Sequence, residues 1–206
     1  MQEEQRKRII DKHRDSLTRH GHHPNALYWS SQEIQELRFR VLSQIGVQAG
    51  ESLLDIGCGF GDMFGWLQRQ GVEVAYTGID LSPDLIARGR QIYPQATLLN
   101  GELFDVDVPA KSFDWVVLSG ALNEALYDKG NYARRVIARM FELCRRGVAF
   151  NLLNRNAKGM RMMFDLASFE TDEMLDFCRT LTPDCRLRDD YLENDFTIYM
   201  RRSDRA

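Results

Sequence analysis

Residues 53–62 read Leu-Leu-Asp-Ile-Gly-Cys-Gly-Phe-Gly-Asp, and no other stretch constrains the fold as tightly. Ser52 to Ile56 is a short apolar run with one acid, Asp55, near its end. Gly57, Gly59 and Gly61 follow at alternate positions, and an amphipathic stretch from Met63 to Gln70 comes next. The order predicts a strand, a glycine turn and a helix. Glycine tolerates positive φ and lets a ligand lie against bare backbone, so three glycines in five residues at a strand's C-terminal end mark a nucleoside-type site.

Charge beside the turn narrows the ligand. A pyrophosphate-binding loop of the dinucleotide type has G-x-G-x-x-G, a helix N-terminus and no nearby anions. Here the third glycine of that pattern falls at Asp62, and Asp55 lies two residues before Gly57. Two carboxylates flanking the loop repel a pyrophosphate and suit a ligand with positive charge beside its ribose. S-adenosyl-L-methionine, which carries both an ammonium and a sulfonium, is such a ligand.

The stretch resembles motif I of class I S-adenosylmethionine-dependent methyltransferases, roughly apolar-apolar-Asp-apolar-Gly-x-Gly-x-Gly, and the agreement includes the acid. Tyr76 to Leu81 reads Tyr-Thr-Gly-Ile-Asp-Leu, a strand ending in Asp80, nineteen residues after Gly61. An acid at the tip of the second strand accepts both ribose hydroxyls. The resemblance implies cofactor contacts from Asp55, Gly57, Cys58, Gly59 and Asp62 in the first motif and from Asp80 and Leu81 in the second. Gly101-Glu102-Leu103 stands where the family has Gly-Asp-small, whose acid and backbone amide read adenine; Glu102 keeps the acceptor on a longer arm, with Asp105 and Asp107 as alternative acids. Ser112 to Leu118 resembles motif IV, and Ser119, Gly120 and Ala121 then occupy the switch where cofactor and acceptor meet. The tetrapeptides Asn-Pro-Pro-Tyr and Asp-Pro-Pro-Tyr are missing, which argues against amino-methylation of adenine or glutamine.

The rest of the chain fits the same plan. Residues 1–23 read as a loosely held helix and a turn, with Ile9, Ile10 and Leu17 as the only large apolar side chains. Ser30 with Glu33 has the capping-box spacing, and Ile34, Leu37, Val41, Leu42 and Ile45 put one apolar stripe on a helix from Ser30 to Ile45. Tyr28 and Trp29, just upstream, are candidates for a lid over the cofactor and equally for a hydrophobic staple. Val72 to Asp80 reads as the second strand, and Ser82-Pro83-Asp84 as an N-cap, an N1 proline and a first-turn acid. Ala96 to Asn100 is a third strand, Asn131 to Arg146 a helix stopped by Gly147, and Val148 to Leu153 a fifth strand. Thr171-Asp172-Glu173 opens a last helix, and Cys185 to Leu192 and Phe196 to Arg202 form a hairpin. Strands alternating with helices give an α/β, Rossmann-like doubly wound sheet. The resemblance implies the order 3-2-1-4-5-7-6, mostly parallel with an antiparallel C-terminal hairpin. We expect one domain overall, residues 1–29 forming an N-terminal lid segment and 30–206 the methyltransferase domain.

Composition excludes several alternatives. The net charge of -3, from 27 basic and 30 acidic residues, offers no general attraction to nucleic acid or an acidic membrane surface. No apolar run approaches the roughly 20 residues of a membrane span. The four cysteines contain no C-x-x-C pair and read as reduced thiols of a cytoplasmic protein, with no metal site. Met160, Met162, Met163 and Phe164 form a cluster that lines an acceptor pocket or fills core. Without an added recognition domain, the acceptor is expected to be a small molecule methylated at oxygen or nitrogen. The alternative is a non-catalytic S-adenosylmethionine-binding sensor or partner subunit. If the acceptor is a hydroxyl, His20, His22, His23 and Glu124 are the groups within the sequence that suit its proton, none vouched for by a motif. The oligomeric state is not legible.

Overall fold

The computed structural model describes residues 1–160 and 165–203. Seven strands form one sheet: β1 Ser52–Ile56, β2 Ala75–Asp80, β3 Thr97–Asn100, β4 Phe113–Leu118, β5 Cys144–Leu153, β6 Cys185–Arg188 and β7 Asp195–Arg201. Their order is β3-β2-β1-β4-β5-β7-β6. The first five run parallel, and β7 enters antiparallel between β5 and β6. The helices are α1 Glu3–His20, α2 Gln32–Ser43, α3 Asp62–Arg69, α4 Pro83–Ile92, α5 Asn131–Leu143 and α6 Thr171–Leu181, with a 3₁₀ turn at Pro24–Leu27.

Alternation along the central strands sorts the core into two faces. Val116, Leu118, Val148 and Phe150 meet Val136, Ile137 and Met140 of α5 and Cys178 of α6. Trp115, Val117 and Ala149, one step out of phase, meet Val41 and Leu42 of α2 and Met63 and Leu67 of α3. Each such side chain contributes about 1.5–3 kcal/mol on leaving water. Because both faces are covered, the strands must be apolar throughout, and the only open direction is along their ends. The chain leaves β1 for β2 and returns for β4 on the other side, so a crevice opens at the C-terminal ends of β1 and β4.

Several elements differ from the sequence reading. The first helix is not loose: α1 is 18 residues long, and though Ile9 and Ser16 are its only buried side chains, a row of ion pairs ties it across the sheet ends. The cap of α2 is Ser31 rather than Ser30; its hydroxyl accepts from the Ile34 N–H at 3.3 Å. The buried face of α2 also takes in Phe39 and Arg38, while Ile34 and Leu37 are only partly covered. β2 begins at Ala75, three residues later than expected. Gly147 does not stop α5, which ends at Leu143 and passes straight into β5. Glycine is required there for close approach: a Cβ at Gly147 would lie 2.6 Å from the Met200 carbonyl of β7. Of the methionine cluster, Met160 is buried, and residues 162–164 lie outside the described residues.

Candidate functional site

β1 delivers the chain to the crevice, and the glycines turn it sharply. Gly57 and Gly59 have φ of +69° and +58°, a region L side chains rarely adopt. Space is as restricted as torsion: a Cβ on Gly57 would overlap that of Ala121, and one on Gly59 would lie 2.8 Å from Leu27 Cδ1. The turn is pinned to β2, whose Ile79 carbonyl accepts from the N–H groups of Gly57 at 2.8 Å and Cys58 at 3.1 Å.

Asp80 closes the second strand beneath this turn. Its Oδ2 accepts from the Gly59 N–H at 2.9 Å and its Oδ1 from the Ser82 N–H at 2.8 Å. Burial pushes its pKa up, opposed by the Ser82 N–H, by His13 and by the Gly59 N–H. Ser82 then caps α4 as expected, its hydroxyl accepting from the Leu85 N–H at 3.4 Å.

Above these groups is a cavity of about 710 Å³, a size that suits a nucleoside-class ligand with a small partner. Gly57, Gly59, Asp80, Leu81, Glu102, Leu103, Ser119 and Tyr28 all line it, together with Gly101, Gly120 and Trp29. Trp29 lies over Gly120, and the Arg38 guanidinium stacks on its ring 4.5 Å from the centroid. Tyr28, half exposed, takes φ +61° and donates its hydroxyl to the Lys12 carbonyl at 2.9 Å. An adjoining hollow of about 400 Å³ runs from Leu122 and Glu124 toward Asp128 and Arg134.

Asp55, Cys58 and Asp62 do not line the cavity, and the picture of two acids facing the ligand is corrected accordingly. Asp55 is 3% exposed beneath the turn, accepting from the Tyr76 hydroxyl at 2.6 Å. Burial pushes its pKa up to about 7 against that bond. The Cys58 thiol fills the space a Gly78 side chain would need, and burial raises its pKa. Asp62 is taken up by His22 Nε2 at 2.9 Å, the Gln35 side-chain N–H at 3.1 Å and the Tyr93 hydroxyl at 3.3 Å, so it ties the turn to α2 and to the segment after α1. Glu102 does line the cavity, but its carboxylate is bound by Arg6 and by the Met1 ammonium at 3.2 Å.

The expected proton acceptors are likewise dispersed. His22 serves Asp62, His23 Nδ1 accepts from the Asn25 N–H at 3.2 Å, and His20 is exposed at the end of α1. Glu124 reaches the cavity but pairs with Lys12. The histidine that lines the cavity is His13, which sequence reasoning missed; its only signal is a position on α1 seven residues before the cluster, and nothing in the sequence says which face of α1 turns inward.

A test of fit comes from polar atoms without partners. Among the described residues, the buried side-chain atoms lacking a hydrogen bond are His13 Nδ1, Ser119 Oγ, Asn123 Oδ1 and Asn151 Nδ2. The first three residues line this cavity, and Asn151 accepts the Gly120 N–H at 2.8 Å on its wall. An unmade buried hydrogen bond costs about 1–3 kcal/mol, so their concentration at one site is what a polar ligand relieves. Sheet order, glycine turn and acid thus define a Rossmann-like α/β protein with a cavity of nucleoside size at its strand ends.

Comparison with known proteins carries this further. A sequence family described as "Methyltransferase domain" matches residues 53–147. A methyltransferase-named protein of Mycobacterium tuberculosis is 26% identical over 157 residues, 74% of this chain and 93% of that protein. The demethylmenaquinone methyltransferase of Tropheryma whipplei is 42% identical over 79 residues, 36% of this chain but 31% of its own length. Magnesium protoporphyrin IX methyltransferase from Synechocystis, crystallised with bound S-adenosylhomocysteine, superposes with a TM-score of 0.70 over 97% of this chain and all of that one, at 13% identity, which speaks to fold alone. Over residues 53–147 by sequence, and in its fold, the chain is thus similar to S-adenosylmethionine-dependent methyltransferases.

Proposed function

We propose that this protein transfers the methyl group of S-adenosylmethionine to an oxygen or nitrogen of a small molecule. The observation that carries the reading is one continuous cavity under α1, running from Asp80 and Gly101 at one end to Ser119, Asn123 and Glu124 at the other. Its far wall is apolar, with Leu122, Val136, Leu153 and Met160, which suits the body of a small organic acceptor better than a polymer. Relatives do not hand down the acceptor: two of their names specify demethylmenaquinone and magnesium protoporphyrin IX, which are different molecules.

When bound, S-adenosylmethionine supplies a methyl group already activated by the sulfonium. The chain's own task is alignment and exclusion of water. Asp80, held by two backbone N–H groups, is the acceptor for ribose hydroxyls, and Gly57 and Gly59 let the ligand reach backbone. Leu81, Leu103 and the backbone of Glu102 flank the adenine end. Trp29 and α1 roof the site, and Ser119 marks where donor and acceptor meet.

The test is methyl transfer from radiolabelled S-adenosylmethionine over a metabolite library. Label in a small-molecule product is expected. Label that enters only protein or RNA in a cell extract, or none at all beside tight cofactor binding, would overturn the acceptor class.

A further inference from the structure

Three of the partnerless polar side chains described above line the same cavity, and they share a chemical character. His13 lines the cavity from α1. Its Nδ1 is buried without a hydrogen-bond partner, and burial favours the neutral ring. In the tautomer with the proton on Nε2, Nδ1 offers a lone pair to a donor in the cavity. Asn123 Oδ1 accepts and cannot donate; Ser119 Oγ can do either. A ligand that satisfies this array must bring hydrogens.

Charge decides which kind. Among the described residues the cations near this end are spoken for, Lys12 by Glu124 and Arg38 by Asp195, so none of them awaits an anion. The Lys12–Glu124 pair leaves Glu124 already matched, the three partnerless groups are all neutral, and Asp165, the other acid lining this part of the cavity, is exposed, so the buried groups single out no cation. An uncharged O–H meets both conditions.

We propose that the cavity takes an uncharged alcohol or phenol whose hydroxyl donates to His13 Nδ1, with Asn123 Oδ1 and Ser119 Oγ as neighbouring acceptors, and that His13 receives its proton. The inference rests on the methyltransferase reading and narrows it to O-methylation. As the hydroxyl oxygen forms its bond to the methyl carbon, the carbon–sulfur bond breaks with its electron pair left on sulfur, and the hydroxyl proton passes to Nδ1. The imidazolium so formed faces Asp80 and Glu124, which favour it, and Lys12, which opposes it; burial, the largest influence, keeps the resting ring neutral and ready to accept. The edge of the Tyr28 ring packs against His13, centroids 5.6 Å apart.

The experiment uses the whole protein loaded with S-adenosylhomocysteine, with phenol, anisole, benzoate and benzylamine as probes and binding read by saturation-transfer NMR. Phenol should bind at least tenfold more tightly than anisole, which has the same ring and no donor, and more tightly than either charged probe. His13→Leu should shrink the phenol preference to within twofold, and Asn123→Ala, at a half-exposed loop position, should lower it about threefold. Calorimetric affinity for S-adenosylhomocysteine should stay within twofold of wild type in both. No phenol binding, equal binding of anisole, or tighter binding of a charged probe overturns the proposal. So does a His13→Leu variant that keeps the phenol preference but loses cofactor affinity, because His13 then serves the cofactor. If wild type fails to bind S-adenosylhomocysteine, it is the methyltransferase reading that fails; if it binds and phenol is not preferred, this inference alone fails.

Discussion

The glycine turn after β1 and the helix α1 face each other across the cavity, and different forces hold them. The turn lies on parallel strands whose side chains are buried on both faces, and its own N–H groups are bonded to β2. α1 buries little. It is laid across the sheet ends by charge, with Arg6 on Glu102 and Asp105, Lys12 on Glu124 and Arg14 on Asp84. Burial is short-ranged and cooperative, so the floor cannot move without the core. Ion pairs open to solvent, such as Arg14–Asp84, contribute about 0–1 kcal/mol each, so the roof can yield locally while the floor stays put. A site that must admit and then enclose a ligand gains from that division.

Four substitutions break or sharpen the contrast. The largest effect is expected at the floor: Gly57→Val forces a β-branched residue into positive φ and against Ala121. Calorimetry should detect no S-adenosylhomocysteine binding, beside a far-UV spectrum close to native. Binding like wild type would mean the turn does not face the ligand.

Next is Asp55, the acid sealed under that turn. Its folded pKa, raised to about 7 by burial, means the native state holds a proton that the unfolded chain releases near pH 4. Wild-type stability therefore falls as pH climbs from about 4 to 7, by at most about 4 kcal/mol from this group. Asp55→Asn keeps an acceptor for the Tyr76 hydroxyl without the charge, so its advantage in melting temperature should grow across that window. A constant difference between the two proteins from pH 4 to 8 would show that Asp55 does not titrate there.

Asp80→Ala tests the ligand-facing acid. Loss of charge-assisted bonds of roughly 1.5–3 kcal/mol should weaken S-adenosylmethionine about ten- to hundredfold by calorimetry. A change under twofold removes Asp80 from the ribose.

The smallest effect belongs to the roof. Arg6→Ala deletes the bonds to Asp105 and to the buried Glu102, which keeps the Met1 ammonium, and should lower stability by about 1–2 kcal/mol. Hydrogen exchange should quicken in α1 while β1 and β4 keep their protection, and added salt should shrink the difference between the proteins. Equal acceleration in β1 would mean roof and floor open together, contrary to the comparison.

The same division explains how far the sequence could be read. β1, the glycine turn and the Ser82 cap depend on neighbours within a few residues, and each was found where local chemistry put it. The sheet order followed from the motifs' resemblance rather than from periodicity. Gly147 was misread because the reason for a glycine there is the Met200 carbonyl on a strand more than fifty residues later. α1 looked loose because its partners, Glu102, Asp105 and Glu124, lie about a hundred residues downstream. Asp55 and Asp62 are correctly placed beside the turn in sequence, but alternation along β1 sends Asp55 under it, and Asp62, opening α3, turns toward Gln35 and His22. His13 escaped notice for the same reason: which face of α1 meets the cavity is set by those distant ion pairs.

The pairing of Arg38 with Asp195 spans 157 residues, and the Tyr199 hydroxyl reaches the Val41 carbonyl at 2.7 Å over 158. A ribosome releases the chain from its N-terminus, so α2 emerges long before the strand that neutralises its buried guanidinium. β1 to β5 can assemble meanwhile, but β5 keeps a bare edge, and β6 has to wait as well because its partner in the sheet is β7. Closing that edge and covering the Arg38 charge are then a single late event in biosynthesis, and the interval before it is when the chain is most open to mispairing with another copy.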